Sequence, residues 1–353
     1  MSVKRLIIFF SSISLIFSEC DIDEVELWDV CYPIETTTTL QYLDNTYGEI
    51  PNEICELVNL EILNLTVIFG NTNYVTGEIP ECIGDLINLT SLDLSWNQLY
   101  GEIPGSIGNL INLINLNFLK NQLGGEIPES IGNLTQLTKL NFGFNYFYGD
   151  IPQSIGNLVQ LEELYFSYNQ LSGRIPSTIG NLLDLTMFSI YNNQIAGAIP
   201  ESIGALNNLI SLNAGYNNLE EEIPESIGNL TNLERLWLNN NNLRGQIPSS
   251  ICNLDFLNWA AYGFEGSDSY LNYNQLCPPY PECIEEYVGY QDITACPEMQ
   301  IGDINYDGII DILDIVIIID MILNSEYDIM IDINEDGILN VLDIIQLINL
   351  ILE

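Results

Sequence analysis

The sequence predicts an α/β protein. A solenoid of stacked coils, each with one short strand, fills the middle of the chain, and a small all-α module follows it. Three observations carry that reading. A motif recurs every 24 residues through the middle of the chain. Eight cysteines stand in two groups of four, one at each end of that repeat. Near the C-terminus an acidic, glycine-containing stretch is duplicated 29 residues apart.

The chain of 353 residues opens on Lys4 and Arg5, an apolar run over 6–17 and small residues at Ser18 and Cys20. That order reads as a secretory signal over residues 1–18, too short to span a bilayer. No later run of about 20 uncharged apolar residues follows, so no membrane-spanning segment is expected. Export suits the cysteines. Cys20, Cys31, Cys55 and Cys82 precede the repeat, and Cys252, Cys277, Cys283 and Cys296 close it. They read as disulfide staples on two caps, over 19–58 and 277–298. Each group of four allows three connectivities, and spacing favours Cys20–Cys31 and Cys283–Cys296.

Between the caps, residues 59–276 repeat. Prolines at Pro80, Pro104, Pro128, Pro152, Pro176, Pro200, Pro224 and Pro248 are spaced by 24 residues, and Pro51 precedes the first by 29. One unit runs Leu89-x-x-Leu92-x-Leu94-x-x-Asn97-x-Leu99-x-Gly101-x-Ile103-Pro104, then Ile107-Gly108-Asn109-Leu110. Leu92 and Leu94 alternate as a strand with one buried face requires. Asn97 and its equivalents fall where the chain turns inward, so each amide is expected to bond backbone groups of adjacent coils. The proline stops the strand, and Gly108 is expected to serve a tight turn. No coil buries its leucines alone, and stacking does. The motif resembles the plant-type leucine-rich repeat, which implies a right-handed solenoid with a concave parallel ribbon. The longer first interval places an extra loop over 67–74. After Asn253 the frame breaks over 259–273 and resumes at Asn274.

The strand positions between the consensus leucines need not be apolar, yet they carry Trp96, Phe144, Tyr165, Tyr168, Tyr191, Tyr216 and Trp237, with many Asn and Ser. In a chain of net charge -42, a neutral aromatic stripe is expected to bind something, either an extended peptide or a polysaccharide. Asp93 belongs to the same candidate site. The Glu-rich Gly-x-Ile-Pro segments read as a solvated face.

Residues 299–353 carry the duplication. Asp303, Asn305, Asp307, Asp311 and Asp314 stand at positions 1, 3, 5, 9 and 12 of one loop, and Asp332, Asn334, Asp336, Asn340 and Asp343 at those of the second. Each has Gly at position 6, and Ile309 and Ile338 offer a carbonyl at position 7. Hard oxygen donors at that spacing suit calcium, two ions in all. Apolar helical runs over 312–323 and 341–352 follow. Paired loop–helix units with Asp at position 12 resemble a type I dockerin, which implies attachment to a cohesin or similar protein partner. Where polar contact pairs are usual in that family, this chain has Ile312-Leu313 and Val341-Leu342.

The charge and the absence of histidine exclude much. Ser-His-Asp and Cys-His catalysis and His-ligated zinc are out, and nucleic acid is repelled. A glycosidase would need two carboxylates about 5–10 Å apart. Asp93 and Glu163 lie three coils apart, further than that. The reading is therefore a non-catalytic secreted recognition protein. The alternatives are a glycosidase component of a polysaccharide-degrading assembly and a structural or adhesive surface protein.

Overall fold

The computed structural model describes residues 20–41, 47–66, 74–259, 269–296, 302–304, 309–324, 332–334 and 336–352. The signal at 1–18, the loop at 67–73 and most of the frame break, 260–268, lie outside them. The chain divides into two compact units, one ending near Gln291 and the other starting at Asp292 and including Gln275–Cys277.

In the first unit, nine three-residue strands form one parallel sheet in strict chain order. They are Thr39–Gln41, Ile62–Asn64, Ser91–Asp93, Asn115–Asn117, Lys139–Asn141, Glu163–Tyr165, Met187–Ser189, Ser211–Asn213 and Arg235–Trp237. Their middle residues lie in register, from Leu40 against Leu63 to Leu212 against Leu236. All are buried, with Phe188 in the place of one leucine. Smaller parallel sheets flank the ribbon, among them Gly48–Glu49, Val75–Gly77, Gln98–Glu102 and Gln122–Gly124.

Each coil then turns through a five-residue 3-10 helix, from Asn52–Glu56 to Ser249–Asn253. The proline is its N-cap: Pro104 stands at φ −63° with Ile107 donating back to its carbonyl. Proline thus pre-sets the first turn as well as ending the strand. Gly108 corrects the expectation of a tight turn, because its φ is not left-handed. A Cβ there would meet the Ser130 Cβ and carbonyl at 2.6 Å, so the glycine serves close stacking of coils. The left-handed glycine is Gly101, at φ +82°.

The asparagine ladder is as expected. Asn145 donates to the carbonyls of Phe118, Phe142 and Gly143 and accepts from the Leu123 N–H. Beneath it runs a stack the leucine frame does not announce: Phe118 and Phe142 rings lie 5.3 Å apart, and Phe142 and Phe166 5.8 Å. The ladder continues through the C-terminal cap with Asn274, and Gln291 then takes the asparagine role on the Leu271 and Val288 carbonyls.

Cys20–Cys31 and Cys55–Cys82 staple the N-terminal end. At the other end the pairs are Cys252–Cys283 and Cys277–Cys296. The expected Cys283–Cys296 pair is therefore wrong. Cys252 lies in the last proline-capped 3-10 turn, and the cap folds back to bond it, a long-range contact that nearest spacing does not reveal.

The second unit holds helix α1 (Ile312–Asn324) and helix α2 (Val341–Leu352). They pack around Ile304, Ile318 and Leu347, with Ile315, Ile322 and Ile344 against that centre.

Candidate functional site

The ribbon brings the sequence-selected aromatics together. Phe144 and Tyr168 stack with ring centroids 4.1 Å apart and planes 22° apart. Tyr191 bridges Tyr168 and Tyr216 at 5.3 and 5.2 Å, tilted about 60° to each. Four coils thus carry one continuous aromatic row. Tyr191 stands one residue earlier in its coil than the others, and fills the gap left by Asn192. Trp96, two coils before Phe144, is separate from the row and has the Lys120 ammonium 3.8 Å above its ring. Trp96, Phe144, Tyr168 and Tyr216 are exposed, at 39–47%. Tyr165, Tyr191 and Trp237, which the sequence groups with the exposed aromatics of the stripe, are instead half-buried. Tyr165 and Trp237 sit within the strands, where the neighbouring strands wall them in.

The row has a backbone signature that the sequence did not reveal. Trp96, Lys120, Phe144, Tyr168, Asn192, Tyr216 and Asn240 all have φ between 55° and 59°. Left-handed backbone is costly for bulky residues, about 1–2 kcal/mol each. Each coil holds it through inter-coil hydrogen bonds, for example Phe144 N–H to the Ser167 carbonyl and Tyr168 N–H to that of Tyr191. The effect is to fix where each ring leaves the backbone.

Burial pushes the Tyr191 phenol up to about 12, helped by the neighbouring Tyr168 and Tyr216. Burial also raises Tyr165, with Glu163 adding to the rise and Lys139 and Arg235 opposing it. The two acids weighed for catalysis are both engaged. Asp93 accepts from the Thr66 hydroxyl, the Ser95 N–H and the Asn117 amide at 2.9–3.0 Å. Glu163 pairs with Lys139 at 2.7 Å, and that contact raises the lysine.

In the second unit the twelfth-position carboxylates are fully buried and organise the loops. Asp314 accepts from the Ile304 and Asp311 N–H groups, both at 2.7 Å. Asp343 does the same for Asn334 and Asn340. Asp332 accepts from Asp336 and Gly337, and Asn334 also accepts from Asp336. Asn305 and Asp307 lie outside the described residues. Residues 299–353 hold twelve carboxylates and no Lys or Arg. Buried carboxylates with no cationic side chain in the module, among oxygen-only donors, fit a hard divalent cation. Among the described residues the one donor cluster gathered within 4.8 Å is Cys20, Glu24 and Cys31, and its sulfurs are joined in a disulfide. The Ile312-Leu313 and Val341-Leu342 pairs are exposed, as are Val316, Ile319, Ile345 and Ile348 on the same helices. They do not form the module's interior.

No helix among the described residues is long and apolar enough to cross a membrane. No curated protein matches the chain. Among solved structures, a plant peptide hormone receptor, RGFR1 in complex with RGF2, is 34% identical over 65% of this chain and 42% of its own, with TM-score 0.56. The Arabidopsis receptor kinase HAESA ectodomain, in complex with a peptide hormone, is 33% identical over 68% and 39%, with TM-score 0.57. A plant ice-binding protein is 27% identical over 69% and 74%, with TM-score 0.55. The chain thus spans less than half the length of the receptor chains it matches. Residues 152–269 match the leucine-rich repeat region family, 88–110, 112–134 and 136–158 match single leucine-rich repeats, and 301–352 match the dockerin type I domain. With its repeat, cap disulfides and paired helices in agreement, the chain is a plant-type leucine-rich repeat protein with a C-terminal type I dockerin domain.

Proposed function

We propose that this is a secreted, non-catalytic recognition protein whose nine-stranded face binds an extended peptide and whose dockerin domain ties it to a protein partner of the cohesin kind. The observation that carries the peptide reading is how the rings meet. A sugar stacks on an open ring face, and here Phe144 and Tyr168 cover each other while Lys120 covers Trp96. The row offers ring edges, hydroxyls and gaps between coils, which suit alternating side chains of an extended chain. Two of the receptors it resembles, RGFR1 and HAESA, are seen in complex with peptide hormones, which supports the same reading. Dockerin domains are a calcium-binding family. Here Asp303, Asn305, Asp307, the Ile309 carbonyl, Asp311 and Asp314 would hold one ion. Asp332, Asn334, Asp336, the Ile338 carbonyl, Asn340 and Asp343 would hold a second. The ions would neutralise loops whose carboxylates otherwise repel, and so set the helices that meet the partner. Among the described residues, Asp93 and Glu163 are both engaged, which supports the non-catalytic reading.

Parallel peptide and glycan arrays probed with the labelled chain test this. Peptide spots should bind and glycan spots should not. Binding to glycans alone would replace the peptide reading with the polysaccharide one.

A further inference from the structure

We propose that the flank of the solenoid beside the ribbon is a second docking face, which takes an arginine-rich segment of a protein partner. It is separate from the aromatic row, and its test does not depend on what binds there.

The face is the small parallel sheet of Gly48–Glu49, Val75–Gly77, Gln98–Glu102 and Gln122–Gly124, followed in the next coils by Tyr148–Asp150 and Gln170–Ser172. Tyr47, Tyr74, Tyr100, Tyr146 and Tyr148 stand exposed on it. Unlike Phe144 and Tyr168, none of the five has another ring against it among the described residues. Their ring faces are therefore open.

Beside them runs a column of carboxylates. Glu49, Glu78, Glu102, Glu126 and Asp150 occupy one position of the repeat, and all are exposed. Each lies over the left-handed glycine of the following coil. A Cβ on Gly101 would meet Glu78 Cγ at 2.9 Å, and one on Gly125 would meet Glu102 Cγ at 2.6 Å. The carboxylates are thus held in line, about 5 Å from strand to strand. Like charges so placed repel, and among the described residues none of the five has an ion pair.

The two sets share one patch. Glu126 pairs with Tyr148 across the sheet, Glu102 with Gly124, and Tyr100 with Gln122. They also stop together. In the coil after Asp150 the acid gives way to Arg174, and the tyrosine positions hold Gln170 and Ser172.

Gly124 points to an occupant. It lies between Glu102 on one strand and Tyr146 on the other, and unlike Gly125 its φ is not left-handed. A Cβ there would meet nothing closer than the Tyr146 carbonyl at 3.5 Å, an ordinary contact. Neither the backbone nor the packing requires this glycine, and glycine weakens a strand. It leaves room for a partner's chain to approach the sheet closely.

The chemistry of the patch selects arginine. A guanidinium stacks on an open tyrosine face and forks onto a carboxylate, and interleaved Tyr and Glu offer both. A net charge of -42 draws a basic partner in at long range, and the carboxylate column complements it at contact.

Fluorescence anisotropy on the full chain, with calcium present and at physiological salt, tests it with two short labelled peptides. One carries arginine at alternate positions, and the other has the neutral isostere citrulline in their place. The arginine peptide should bind at least tenfold more tightly. Bulk charge alone would also favour it, so the deciding variants leave the charge unaltered. Tyr100→Ala/Tyr148→Ala should weaken the arginine peptide at least tenfold at nearly unchanged melting temperature. Gly124→Leu, which fills the gap, should do the same, and Tyr168→Ala/Tyr216→Ala should have no effect on it. Binding that neither flank variant alters would reduce the face to unspecific charge and overturn the proposal. Equal binding of the citrulline peptide, or an equal loss in the ribbon variant, would overturn it as well. Peptides without Arg or Lys report on the ribbon alone, so failure of the flank and failure of the ribbon are read separately.

Discussion

Asn145 shows what one side chain does in this protein. Its amide closes three carbonyls and one N–H that no water reaches. Asn145→Ala should cost about 3 kcal/mol, because buried backbone groups are left without partners. A denaturant titration showing less than about 0.5 kcal/mol would mean that the ladder does not hold the coils. Gly132 makes the complementary case. A Cβ would sit 2.5 Å from Ser154 Cβ, so Gly132→Ala should cost about 1–3 kcal/mol by overpacking. At Tyr168 the strain is in the backbone, at φ 56°. Tyr168→Gly should therefore be more stable than Tyr168→Ala by about 1 kcal/mol. Tyr191 adds a pH dependence. Its folded value of about 12 exceeds the ordinary 10, so the folded state holds the proton more tightly. That stability is fully present below pH 10 and is lost as pH rises from 10 towards 12. In an absorbance titration, Tyr191→Phe should remove one tyrosine from the late part of the curve.

At the scale of the element, the coil was legible because one coil is written many times. A periodic Leu, Asn, Pro and Gly frame leaves little choice of strand, ladder and turn. The dockerin module was legible for the same reason, since a duplicated donor spacing is specific. What escaped the sequence was contact between coils. The role of Gly108 depends on Ser130 of the following coil, and the left-handed backbone of Trp96 or Tyr216 depends on bonds to a neighbour. The cap pairing Cys252–Cys283 joins residues 31 apart, and spacing alone preferred a shorter loop. The candidate face was found residue by residue from the repeat frame. The mutual covering of its rings, on which the proposed peptide reading leans, depends on side-chain geometry.

At the scale of the molecule, the two units have different supports. Disulfides and coil stacking hold the first, and buried carboxylates, proposed to take cations, organise the second. Chelation should therefore lower one calorimetric transition and leave the other in place. Asp343→Ala should reduce the bound calcium from two ions per chain to one, as read by titration calorimetry. Reduction of the disulfides should act on the solenoid transition instead, since Cys20–Cys31, Cys55–Cys82 and Cys252–Cys283 belong to it.

The aromatic row as the binding face is the claim on which the rest depends. Its most direct measurement is retention of array-selected peptides by the full chain, compared with its Tyr168→Ala/Tyr216→Ala variant, with calcium and with chelator. The expected result is a loss of at least tenfold in the variant at nearly unchanged melting temperature, with retention by the unaltered chain indifferent to chelation. Undiminished retention by the variant would contradict the account and place the binding site off the ribbon.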